Sequence, residues 1–146
     1  MAIETVESKR PIEILLVEDS LEDVVLFQTV LKQFKYPVHV TVARDGVEAL
    51  DHLHRHIGFS GRPVPDLALL DLGLPKKGGH EVLEEIKADP ELSQIPVLIM
   101  TSSQSEADRR SAYQEKANYY IVKPMDVHEL FETFRYIESI WMENIA

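Results

Sequence analysis

The spacing of apolar positions changes period repeatedly along this chain. Ile12–Val17 (IEILLV) is a short, nearly continuous apolar run, the mark of a strand covered on both faces. From Leu21 to Phe34 the spacing becomes helical, with Val24, Leu26, Phe27, Val30, Leu31 and Phe34 on one side. Pro37 is expected to end that helix. The exchange then recurs: a strand over Val38–Ala43 and a helix over Gly46–His56; a Gly- and Pro-rich loop from Gly58 to Pro65; a strand over Leu67–Leu70 and a helix over Gly79–Ala88. Next come a strand over Pro96–Thr101, a helix over Glu106–Glu115 and a strand over Tyr119–Val122. Asp126 is expected to cap a last helix that carries Leu130, Phe131, Phe134, Ile137 and Trp141 on one face.

Strict alternation of strand and helix predicts a parallel sheet with helices on both faces. Five such units predict an α/β, flavodoxin-like (βα)5 doubly wound sheet with strand order 2-1-3-4-5. Residues 12–146 are read as one domain, and residues 1–11 as a short disordered arm. That arm is mixed and charged, without the apolar stretch of a secretory signal.

Composition narrows the function classes. The net charge is −10, and no basic block offsets it, which opposes binding to nucleic acid or to an anionic membrane surface. No apolar run reaches the roughly 18 residues of a membrane span. There is no cysteine, so disulfide and thiolate chemistry are excluded and a cytoplasmic location is expected.

In a doubly wound sheet, ligands bind beyond the carboxyl ends of the strands. Strand one ends in Glu18-Asp19, strand three in Asp71, strand four in Thr101-Ser102 and strand five in Lys123-Pro124. Taken singly, each has an ordinary explanation: a carboxylate after a strand usually caps a helix, and a lysine there is usually solvated. Together they form a site. Three carboxylates in one crevice repel each other unless they hold a cation, and an all-oxygen set favours Mg²⁺, with Mn²⁺ as the alternative. Lys123 offers a compact positive charge to a phosphoryl oxygen and Thr101 a hydroxyl to another. A carboxylate in such surroundings is a nucleophile for phosphoryl transfer.

These segments, LLVEDS (15–20), LLDLGLPKKGG (69–79), PVLIMTSS (96–103) and YYIVKP (119–124), resemble those of response-regulator receiver domains, and the likeness runs from Ile12 to about Ile140. The resemblance implies a two-component signalling protein that takes a phosphoryl group from a histidine kinase onto Asp71. Such a protein is not an enzyme in the ordinary sense, because it catalyses only its own phosphorylation and dephosphorylation. It further implies that Asp19 and Asp71 ligate the metal directly, with the Gly73 backbone carbonyl as third ligand and Glu18 acting through water. Thr101 is then the switch hydroxyl, Tyr120 the aromatic that moves inward with it, and Lys123-Pro124 a cis peptide that aims the lysine. Gly73 stands where the family often has Asn, a position that tunes phosphate lifetime. RPIEILLVEDS, RPVPDLALLDLGLPKKGG, HEVLEEIKADPEL and SIWMENIA are similar to the stand-alone regulators paired with phytochrome kinases of bacteria and cyanobacteria. With no room for an output domain, signalling is expected through the face of helix four, strand five and helix five; the alternative is an intermediate phosphocarrier in a relay.

Other readings are weaker. An aspartate-nucleophile phosphatase would want a second acid at position 73, which is Gly, and a flavodoxin-like cofactor carrier would want a phosphate-cradling loop where Glu18 and Asp19 stand. His52 and His56 share a helical face, but a solvated polar face is the simpler reading. Gly78-Gly79 is expected to let the chain turn into helix three. Tyr119, Tyr120 and an apolar arc of Val127, Phe131, Phe134, Ile137, Ile140, Trp141 and Ile145 suggest a homodimer through the signalling face.

Overall fold

The structure is a computed structural model that describes residues 11–58, 64–74, 78–102, 106–123 and 126–145, the side chains of 55–58 and 140–145 excepted. The expected arm at 1–11 therefore lies outside the described residues but for Pro11. So do Lys76, Lys77, the Lys123-Pro124 peptide and the side chains of His56, Trp141 and Ile145.

The strands are β1 (Ile12–Val17), β2 (Val38–Ala43), β3 (Leu67–Leu70), β4 (Val97–Thr101) and β5 (Tyr119–Val122). The helices are α1 (Leu21–Leu31), α2 (Gly46–Gly58), α3 (Gly79–Ala88), α4 (Glu106–Gln114) and α5 (Val127–Ile145). All strand pairs are parallel, in the order β2-β1-β3-β4-β5, as the alternation predicts.

Strand alternation divides the core in two. Leu15, Val17, Ala68, Leu70, Val97 and Ile99 point to the side covered by α2, α3 and α4. Ile14, Leu16, Leu67, Leu69, Leu98 and Met100 point to the side covered by α1 and α5. The central strands β1, β3 and β4 are buried on both faces, hence their unbroken apolar runs.

Besides shifts of one or two residues at the ends of α2, β4 and α4, two features of the helices differ from expectation. The first helix stops at Leu31, six residues before Pro37; Lys32 is its cap, and Gln33 and Phe34 continue in tighter bonds to the carbonyls of Val30 and Leu31. Phe34 keeps the helical spacing because this turn holds it on the same side, 6.4 Å from the Phe134 ring. The second difference is on α5. Phe134 and Ile137 of the arc offered for dimerisation are core residues, and Phe131 packs partly buried against them, while Val127 is exposed. Asp126 does cap α5: its carboxylate accepts the His128 amide at 2.8 Å.

Candidate phosphoryl-transfer site

Strand register brings the strand ends together. Val17 pairs with Leu70 and Thr101 with Val122, so Glu18, Asp71 and Lys123 each follow directly on a paired position. Main-chain bonds carry the register one residue further: Glu18 donates to Ala43, Asp71 to Val17, and Lys123 to Thr101. Alternation then turns Glu18, Asp71 and Lys123 toward the α1 side. Arg44, just past β2, donates to the carbonyl of Asp19 at 3.3 Å and steadies the loop after β1.

The carboxylates of Glu18, Asp19 and Asp71 each present an oxygen within 4.8 Å of the others. Glu18 is 1% exposed and Asp71 9% exposed, while Asp19 is open to solvent. Lys123 Nζ lies 2.6 Å from Glu18 Oε1, 2.9 Å from Asp23 Oδ2 and 3.4 Å from Asp71 Oδ2. Burial pushes the Glu18 carboxyl up to about 7; the charge of Asp71 adds to this, and the bond from Lys123 opposes it. Burial lowers Lys123, but its bonds to Glu18 and Asp23 and the charge of Asp71 outweigh it, and the ammonium is held above its ordinary range. Four carboxylates against one ammonium leave surplus negative charge, and the donors are all hard oxygens. The residues therefore fit Mg²⁺ or Mn²⁺.

The Gly73 amide donates to Asp71 Oδ1 at 3.1 Å. A Cβ at Gly73 would come no nearer than 3.8 Å to that oxygen, so the glycine is not there for want of space. Thr101 is buried at the end of β4, and alternation directs it to the α3–α4 side, opposite Lys123. Tyr120 is buried on that same side, its ring centroid 6.5 Å from that of Tyr113 on α4. Sequence reasoning missed Asp23 and Phe27. Phe27 stands among the apolar positions of the first helix and Asp23 carries no motif, and only the fold sets both against Lys123.

Comparison with known proteins agrees with this architecture. Residues 14–135 match the model of the response regulator receiver domain. Response regulator Rcp1 of Synechocystis sp. is 42% identical over 140 residues, covering 96% of this chain and 95% of its own. Among solved structures, the phosphorylated cyanobacterial phytochrome response regulator RcpA superposes with a TM-score of 0.84 at 40% identity, covering 92% of this chain and 96% of its own. The Mn²⁺-bound form of Rcp1 does so with a TM-score of 0.83 at 42% identity, covering 93% and 98%. This chain belongs to the response regulator receiver domain family.

Proposed function

We propose that this receiver accepts a phosphoryl group from a histidine kinase on Asp71, in a reaction that depends on Mg²⁺ or Mn²⁺. The observation that carries the reading is the setting of Asp71: buried at the end of β3, clustered with Glu18 and Asp19, and 3.4 Å from the Lys123 ammonium. A carboxylate oxygen of Asp71 attacks the phosphorus of a phosphohistidine in line. The P–O bond forms as the P–N bond breaks, and the electron pair returns to the imidazole. Asp19, Asp71 and the Gly73 carbonyl would hold the cation, and Glu18 would act on it through water. When bound, the cation offsets the carboxylate charge and that of the incoming phosphoryl oxygens. Lys123 pairs with one oxygen of the new acyl phosphate and Thr101 donates its hydroxyl to another. Tyr120 follows Thr101, and the face of α4, β5 and α5 changes shape as a two-state element biased by the new charge.

The donor is a phytochrome-type, light-regulated kinase; the likeness to the cyanobacterial phytochrome response regulator RcpA supports this. Residues 12–146 act as the receiver domain, with 1–11 as an arm, in the cytoplasm where such kinases present their phosphohistidine. The protein acts as a homodimer through the α4–β5–α5 face. In support, each of these elements carries an exposed large apolar residue: Tyr113, Val122 and Val127.

Acetyl phosphate with Mg²⁺, and separately a panel of phosphorylated histidine kinases that includes phytochromes, should label the wild type and not Asp71→Asn. Equal labelling of the variant would refute the acceptor. Faster transfer from unrelated kinases than from any phytochrome would refute the partner.

A further inference from the structure

Lys123 is held by one carboxylate more than the cation cluster explains. Glu18 and Asp71 belong to that cluster, but Asp23, 2.9 Å from Lys123 Nζ, does not. Asp23 is the third residue after the α1 cap, Ser20, whose hydroxyl accepts the Asp23 amide at 3.3 Å. An acid at this position commonly reaches back to the amide of the cap residue. Here that amide donates instead to Glu18 Oε2 at 3.3 Å, and the Asp23 carboxylate is turned to Lys123. One turn further along α1, the Phe27 ring lies under the same ammonium at 5.8 Å. Two successive turns of α1 thus cradle a side chain 100 residues away in sequence.

We propose that Asp23 is a positioning residue that holds Lys123 in the resting state against its transfer to the phosphoryl group, and so sets how readily the phosphorylated state forms. The inference rests on Asp71 being the acceptor. Once a cation engages Glu18, Asp19 and Asp71, Asp23 is the carboxylate on Lys123 that the cation does not claim. A phosphoryl group on Asp71 must then compete with Asp23 for the ammonium. Breaking a half-buried ion pair opposes the transfer, and the Asp23 charge repels the phosphoryl dianion from close range. Both effects have the same sign, so removing the charge favours the phosphorylated state. The ordinary role of an acid in a first helical turn, favourable interaction with the helix dipole, is shared by the exposed Glu22, which makes it the control.

The test is the affinity for beryllofluoride, which mimics the phosphoryl group on Asp71, at saturating Mg²⁺, followed by ¹⁹F NMR or calorimetry. Asp23→Asn should tighten binding at least about fivefold, the lower end of ordinary coupling between sites. Glu22→Gln should change it by less than about twofold, as expected of an exposed charge. In a Lys123→Met background the gain from Asp23→Asn should shrink to what direct repulsion alone gives, less than about twofold, a coupling that a merely structural role would not produce. The Lys123 ¹³Cε resonance gives a second reading where Lys123→Met binds too weakly to measure: it should move in Asp23→Asn and stay in Glu22→Gln. Unchanged or weaker binding in Asp23→Asn, a gain that survives Lys123→Met undiminished, or an unmoved Lys123 resonance would overturn the inference. A wild type that binds no beryllofluoride would overturn the Asp71 reading, and this inference with it.

Discussion

Glu18 shows how burial and function meet in one residue. It is almost wholly buried, and its carboxyl is raised from 4.5 to about 7, first by burial. Between those values the folded protein binds a proton there that the unfolded chain has released. The stability Glu18 contributes is therefore fully present below pH 4.5 and is lost as pH rises through 7. Glu18→Gln carries no such titration. In chelator, urea unfolding should show Glu18→Gln gaining stability relative to wild type as pH rises across that window, by up to about 3 kcal/mol. A difference that is flat with pH would contradict the assignment. This cost is also what a cation at the cluster relieves.

The connection from β3 to α3 shows what an element junction demands. Adjacent glycines, Gly78 and Gly79, begin α3, and nothing in their pairing says which one matters. A Cβ at Gly79 would meet the Leu72 Cα at 2.5 Å and the Asp71 carbonyl oxygen at 2.6 Å, both main-chain atoms that cannot step aside. The Gly79 amide also closes the loop on the Leu72 carbonyl at 3.2 Å. Around Gly78 there is open space, and its φ of −68° suits any residue. Gly79→Ala should destabilise the protein by about 2 kcal/mol, the usual cost of overpacking, and impair phosphorylation by displacing Asp71. Gly78→Ala should lie within about 1 kcal/mol of wild type. Thermal unfolding of the two variants checks this, and equal midpoints would refute it. The same scale explains α4, which buries only Ala112 among its described side chains and leans on the Tyr113–Tyr120 ring contact. A helix so lightly anchored is suited to respond to a change at β5.

At the scale of the whole molecule, the question is where a receiver meets its partner. Tyr113, Val122 and Val127 are 46%, 37% and 52% exposed, one on each of α4, β5 and α5. Exposed apolar and aromatic residues along one face are typical of interface cores. Light scattering over a concentration series should show a dimer that beryllofluoride with Mg²⁺ strengthens and Val127→Glu weakens. A monomer under every condition at tens of micromolar would refute it. The net charge of −10 opposes self-association at low ionic strength, so the dimer should tighten as salt is raised.

Much of this protein is determined locally, and so is readable from the chain. Period two and period 3.6 differ within a few residues, so the ten elements and the parallel sheet follow from IEILLV and its successors. The strand ends follow from the elements, and Glu18, Asp71 and Lys123, which stand there, meet in one cluster. Tertiary structure decided what depends on approach between distant segments. It set Asp23 and Phe27 on Lys123, because only the packed α1 brings its first turns over the end of β5. It separated Gly79 from Gly78, because the clash is with the main chain of another loop residue. It drew Phe134 and Ile137 into the core, because an amphipathic arc does not state how much of itself the neighbouring helix will cover. Period is a property of a segment; partners and burial are properties of the packed whole, where strand register and helix docking are set together.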